Sequence, residues 1–362
     1  MSFYSIENIS IAGIATSVPK NKKTEVDFVR VFGEDVVKKF IKSTGIKSVH
    51  QAIENQTASD LAYIAANNLL NSFNIDRGKI GTLLFVTQSP DYRRPASAYV
   101  LQNRLGLSIE CDAFDVGLGC SGFLYGQQII QSMMVTNNAQ YGLLLLGETA
   151  SKLVNPLDKS IAMMYGDAGA AVLYERTMGA KQTTLLESDG YRFKSIILPA
   201  GGFRDMNPTN EVYTCSDGIR RSKYDIYMDG VSVFSFSTSD VPKAILKYLK
   251  KNQLESSDFD YVVLHQANQF IVNQIGRKIQ VSKNQMLMSL DEYGNTGGIS
   301  IPLTLSKYFG NNNQGVKRIL ASGFGIGLSW GVTNFYLDTS LVLPIVETDD
   351  YYKEGKILPS EL

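Results

Sequence analysis

Two halves of this 362-residue chain repeat one order of elements, and that echo limits its fold more than any single motif does. In the first half a helical end runs into the apolar stretch Thr82 to Gln88. In the second, another helical end runs into Asp260 to Gln266, so that Thr87 and His265 occupy equivalent strand ends. Next in the first half comes Ala-Phe-Asp-Val-Gly-Leu-Gly-Cys-Ser-Gly from Ala113, with a helical pattern to Val135. Its counterpart is Ser-Leu-Asp-Glu-Tyr-Gly-Asn-Thr-Gly-Gly from Ser289, followed by an apolar-periodic helix to Lys307, and Asn295 falls within a residue of the Cys120 position. The echo predicts two α/β halves of one topology, 1–180 and 181–338, with 339–362 extending beyond it. Gly81 to Thr87, Tyr141 to Gly147 and Ala168 to Tyr174 are apolar without alternation, which predicts a parallel sheet covered on both faces.

Cys120 lies where a strand turns into a helix. Unpaired N–H groups and the positive end of a helix dipole there favour thiolate over thiol and can hold an oxyanion. Burial as an inert thiol is the competing reading. Histidine is scarce, since only His50 and His265 exist, so any imidazole chemistry uses one of them and a three-histidine metal site is excluded. His50, in Gly-Ile-Lys-Ser-Val-His, reads as structural. Taken singly, His265 fits a hydrogen-bonded core residue and Asn295 a turn residue. Ligands of open α/β sheets bind at the carboxyl ends of strands, however, and there Cys120, His265, Asn295 and the Gly323 to Gly327 loop would meet.

The 35 basic and 35 acidic residues cancel and form no long single-sign run, which argues against nucleic acid or an anionic membrane as partner. No stretch has the length of a membrane span, and the N-terminus lacks the basic flank and apolar core of a signal peptide. Three cysteines without a Cys-x-x-Cys pair fit a reducing cytoplasm.

Five ordered motifs resemble β-ketoacyl-acyl carrier protein synthase III of the thiolase superfamily: Asp-Val-Gly-Leu-Gly-Cys-Ser-Gly-Phe, Tyr-Gly-Asp-Ala-Gly-Ala-Ala-Val-Leu from Tyr165, Leu-His-Gln-Ala-Asn from Leu264, Tyr-Gly-Asn-Thr-Gly-Gly from Tyr293, and Gly-Phe-Gly-Ile-Gly-Leu-Ser-Trp-Gly from Gly323. The resemblance implies a duplicated thiolase-like α/β fold in five layers (αβαβα) and a homodimer. It implies Cys120, His265 and Asn295 as catalytic residues, with the backbone N–H groups of Cys120 and Ile326 as oxyanion hole. Phe324, Asn268 and Arg94 are candidate substrate-binding residues, Arg94 from a loop that in the family reaches across the dimer. No permanently bound cofactor or metal is expected. Acyl-coenzyme A and malonyl-acyl carrier protein are the implied substrates of a decarboxylative condensation on Cys120. A synthase III-like transfer of the acyl group to a hydroxyl or amine is the alternative.

The sequence departs from the family at three places. Phe270 stands where an arginine usually helps to dock acyl carrier protein, which leaves Arg277 and Lys278 as candidate basic contacts. Lys39 precedes Thr44-Gly45-Ile46, where a tryptophan is common. Residues 200–227 are longer and more polar than the family pattern. A relative that condenses without decarboxylation uses a glutamate base, and the loop around Thr87, Gln88 and Ser89 offers none in sequence.

Overall fold

The computed structural model describes residues 2–209 and 211–361. Ten strands form one continuous sheet system. In chain order they are β1 (Ser2–Pro19), β2 (Ile80–Val86), β3 (Asp112–Val116), β4 (Tyr141–Glu148), β5 (Ala168–Ser188), β6 (Tyr261–Leu264), β7 (Met286–Leu287), β8 (Val316–Gly325), β9 (Ser329–Asp338) and β10 (Val346–Thr348). The helices that pack on them are α1 (Ala58–Ser72), α2 (Ser97–Arg104), α3 (Gly122–Asn137), α4 (Gly230–Asn252), α5 (Gln269–Lys278) and α6 (Ser300–Phe309).

The spatial order is β7-β6-β8-β9-β5-β4-β2-β3, with β1 alongside β5. β5 joins the halves. Its first part, Ala168 to Glu175, pairs with β4, and its last part, Thr183 to Ser188, pairs with β9. β1 follows it through both, against Gly169 to Arg176 and again against Lys181 to Leu186. Residue 180, expected as a boundary between halves, therefore lies inside a strand that serves both sheets. The sheets are mixed rather than parallel: β2 runs parallel to β3 and β4, and β6 parallel to β7 and β8, but the β4–β5, β8–β9 and β9–β5 pairs are antiparallel. Helices on both faces, and not parallel pairing throughout, account for the unbroken hydrophobicity.

Alternation along each strand sorts the core into three clusters. Leu83, Phe85, Leu143 and Leu145 pack outward on α1 and α2, with Ala62, Ala65, Leu69 and Leu101. Their neighbours Leu84, Val86, Leu144 and Leu146 face a central layer made by Phe123 and Ile130 of α3 and Ile301 and Leu305 of α6. From the other side Val263 joins that layer, while Val262 and Leu264 face outward to Ile245 of α4 and Ile275 of α5. The strand period of two thus gives each sheet two apolar faces, and helix–sheet–helix–sheet–helix follows. α1 starts at a capping box in which Thr57 and Asp60 satisfy each other's backbone N–H groups.

Residues 339–361 pack on the first half. β10 pairs in parallel with Ser17 to Pro19, and Gln56 Nε2 donates to the carbonyls of Thr348 and Asp350 at 3.1 and 3.0 Å. Within the polar stretch expected at 200–227, Val212–Thr214 pairs with Arg220–Ser222 in a short hairpin. Arg221 anchors it, bonded to Asp158 at 2.7 Å and Asp217 at 2.8 Å. No helix among the described residues is long and apolar enough to cross a membrane.

Close approach of α1 to β5 makes one glycine indispensable. A Cβ on Gly169 would lie 2.2 Å from the Leu61 carbonyl carbon and 2.4 Å from the Ala62 nitrogen, both backbone atoms that cannot swing away. Gly169→Ala is expected to lower stability by roughly 1–3 kcal/mol or more in urea unfolding. Gly190→Ala, where nothing lies within 4 Å, should leave the midpoint almost unmoved.

Candidate active site

The turn between β3 and α3 carries Cys120. Gly122 N–H closes on the Gly119 carbonyl at 2.7 Å, and the Leu124 N–H on that of Ser121 at 3.0 Å, so the half-buried thiol stands at the N-terminal edge of α3. Glycines surround it because other chain segments come so near. A Cβ on Gly325 would lie 2.6 Å from Cys120 Cβ and 2.8 Å from Sγ, and one on Gly119 would meet Gln88 Oε1 at 2.4 Å. That proximity lets the backbone N–H groups of Ile326 and of Cys120 itself favour the sulfur's anion. Burial nevertheless prevails and pushes the Cys120 thiol up to about 11. The thiolate expected from the helix terminus is therefore corrected to a neutral thiol, because desolvation outweighs the dipole and the N–H groups together.

His265 follows directly on β6, its N–H bonded to the Ser322 carbonyl at 2.8 Å. The ring is buried, with Nδ1 2.9 Å from Ser300 Oγ and its plane edge-on to Phe324 at 5.4 Å between centroids. Desolvation drives its pKa down to about 4, against the contrary effect of a hydrogen bond to the Gly297 backbone. The imidazole is neutral near pH 7, and in the tautomer whose Nδ1 accepts from Ser300 Oγ it is Nε2 that carries the N–H able to donate to a ligand.

Asn295 is held by backbone on both sides. Its N–H donates to the Met164 carbonyl at 2.9 Å and its carbonyl accepts from Gly166 N–H at 3.1 Å. The segments can touch because Gly166 and Gly294 lack side chains: a Cβ on either would fall 2.2 Å from the Tyr293 oxygen or 2.6 Å from that of Met164. Asn295 Oδ1 accepts from Gly297 N–H at 3.0 Å, which turns the amide so that Nδ2 can donate to a ligand. His50 lies outside the site, stacked on Tyr293 with Nδ1 2.6 Å from the Pro19 carbonyl.

Cys120, His265 and Asn295 line one cavity of about 110 Å³. Phe324, Ile326 and Asn268 line it too, the last also capping α5 by accepting from Ile271 N–H at 2.8 Å. Its remaining wall is largely apolar, with Leu153, Met164, Ile196, Ile226, Met228 and Val233. Arg94 is not brought to this cavity within the chain. It is exposed, its guanidinium 6.0 Å from the ring of Phe203. Phe270 is exposed as well and stacks on Phe234 at 5.8 Å, and Lys278 Nζ donates to the Thr238 carbonyl at 2.6 Å.

One residue of the site escaped the sequence reading. Glu148, the last residue of β4, is buried in the cavity wall. Its Oε1 accepts from Gln88 N–H at 2.8 Å and its Oε2 pairs with Ser89 Oγ at 3.0 Å, so the loop that offers no carboxylate in sequence receives one from the neighbouring strand. The signal was a charged residue closing an otherwise apolar strand. Desolvation raises Glu148 from the ordinary 4.5 to about 8, opposed by those two hydrogen bonds.

A carboxyl whose folded pKa is raised contributes stability that is full below its unfolded value and lost as pH rises through about 8. Glu148→Gln copies the neutral acid. Its urea midpoint should match wild type near about pH 5 and exceed it at about pH 8.5. A difference that stays constant with pH would contradict a buried neutral Glu148.

The model of the 3-oxoacyl-[acyl-carrier-protein] synthase III family matches residues 114–190, and that of its C-terminal part matches residues 249–336. The beta-ketoacyl-[acyl-carrier-protein] synthase III of Streptococcus pyogenes serotype M4 is 33% identical over 326 residues, 89% of this chain and 97% of its own. That of Lactococcus lactis is 31% identical over 329 residues, with the same coverage. The solved 3-oxoacyl-(acyl-carrier protein) synthase of Burkholderia xenovorans LB400 superposes with a TM-score of 0.90 at 29% identity, covering 96% of this chain and 99% of that one. With a thiol, an imidazole and an amide converging at the seam of a duplicated thiolase-like fold, this chain belongs to the 3-oxoacyl-[acyl-carrier-protein] synthase III family of condensing enzymes.

Proposed function

We propose that the chain loads an acyl group from acyl-coenzyme A onto Cys120 and condenses it with malonyl-acyl carrier protein, releasing carbon dioxide and a 3-oxoacyl thioester. The observation that carries this reading is the meeting of a neutral thiol with two neutral hydrogen-bond donors in one desolvated cavity. In loading, the acyl group takes the place of the Cys120 proton, which ends on the departing coenzyme A sulfur. A thioester is a good donor because thiolate leaves well, so no strong general acid is needed.

In condensation, loss of carbon dioxide leaves an enolate whose oxygen gathers charge. His265 Nε2 and Asn295 Nδ2 are the groups that donate to it, and their bonds strengthen as that charge develops. The enolate carbon then attacks the Cys120 thioester. The N–H groups of Cys120 and Ile326 hold the tetrahedral oxyanion, and collapse returns a Cys120 thiolate that takes up one proton.

The cavity size favours a short primer. The cavity is small, about 110 Å³, and its walls are mainly hydrocarbon. Arg94 enters this reading only through a second copy of the chain, whose loop would cover the partner's pocket in the homodimer. Phe270 in place of a basic residue moves the carrier contact to other cations, with Arg277 and Lys278 as candidates. A cytoplasmic setting, consistent with three free cysteines, completes the proposal.

Cys120→Ala should abolish acyl transfer to the protein, read by intact-protein mass spectrometry; an adduct persisting on Cys111 or Cys215 would refute the nucleophile. His265→Ala and Asn295→Ala should each slow decarboxylation by roughly 10²–10³-fold and loading by much less. Single-turnover measurement of both half-reactions separates this from a role in orienting Cys120, which would depress them equally. Acetyl thioester should load faster than octanoyl thioester, and the reverse order would refute the short-primer reading.

A further inference from the structure

Glu148 is the one acidic side chain among the described residues that line the Cys120 cavity, and the steps above do not use it. Its placement is built rather than incidental. Gln88 N–H and Ser89 Oγ hold the two carboxyl oxygens at 2.8 and 3.0 Å, and a Cβ on Gly297 would stand 3.3 Å from Glu148 Cγ, so the carboxyl is fixed between two turns that also shape the cavity. Ser89 Oγ in turn accepts from Thr149 N–H at 3.0 Å. A hydroxyl can receive the proton of a carboxylic acid or donate to a carboxylate, so this cradle holds either form in one position.

The proposed condensation brings a second anion to the same walls, because a malonyl thioester carries its carboxylate until carbon dioxide leaves. We propose that Glu148 sets the charge of the acceptor site: as a neutral acid it admits the carboxylate-bearing thioester, and as a carboxylate it excludes it. This inference rests on the decarboxylative reading. The other groups facing Glu148 leave it alone in the working range. Burial holds Cys120 up at about 11 and Tyr165 well above its usual value, and the His265 ring titrates down at about 4. Asp167, tied to Ser151 and the Ala52 N–H, is raised only to about 6 and is already ionised where Glu148, at about 8, changes charge. Two carboxylates desolvated together repel strongly, and the bound malonyl group cannot relieve that by taking a proton without losing the ability to decarboxylate.

The test uses wild-type enzyme and Glu148→Gln, with a malonyl thioester of a small uncharged thiol as acceptor and acetyl-coenzyme A as primer. KM for the malonyl thioester in wild type should rise roughly tenfold between about pH 7.5 and about pH 9.5, while the rate of Cys120 loading does not fall. In Glu148→Gln, whose amide carbonyl accepts from Gln88 and whose NH₂ donates to Ser89, that KM should be flat over the same range. A wild-type KM independent of pH, or an equal rise in both proteins, would overturn the inference and leave the condensation standing. If wild type acylates Cys120 but releases no carbon dioxide from the malonyl thioester at any pH, the functional reading itself fails.

Discussion

Desolvation is the constraint on which this active site depends. A thiol, an imidazole and a carboxyl are enclosed where the two sheets meet, and burial moves each of them toward its uncharged form. A cavity of this kind stabilises no resident ion pair, so its hydrogen-bond donors are not engaged by a protein charge before substrate arrives. That suits chemistry in which negative charge appears transiently on a thioester oxygen, since fixed dipoles in a dry site act more strongly there than they would in water. The same burial costs the thiol reactivity at rest.

Close backbone approach makes the enclosure possible. Gly325 against Cys120, Gly119 against Gln88, and Gly166 and Gly294 against the opposing carbonyls bring five distant segments within contact. Each segment is then fixed by the sheet or helix it terminates. His265 directly follows β6, Glu148 ends β4, and Cys120 precedes α3, so the reactive atoms inherit the rigidity of the layers. β5, shared by both sheets, sets the distance between the halves and places the Tyr165 to Asp167 turn beside Asn295.

The duplicated order, the apolar strands and the Cys120, His265 and Asn295 positions were all readable in the sequence because each is local: a strand run, a glycine turn, a helix period. What escaped was non-local. Antiparallel pairing of β5 with its neighbours cannot be told from parallel pairing when both faces are buried, since hydrophobic runs look alike in either case. Glu148 was invisible as a site residue because its role comes from a loop 60 positions away in sequence that receives its carboxyl. The thiol's charge was misread because helix position is local while burial is set by the whole fold. Arg94, whose loop is expected to act only across a dimer, is exposed beside Phe203 within this chain.

Alkylation of Cys120 by iodoacetamide, followed against pH in the free enzyme with peptide-level mass spectrometry, tests the uncharged site most directly. The account predicts a rate that stays low through neutrality and climbs toward a midpoint of about 11, without an inflection from an imidazolium partner near pH 6 to 7. A plateau already reached below neutral pH would show a resting thiolate–imidazolium pair, and would contradict the account.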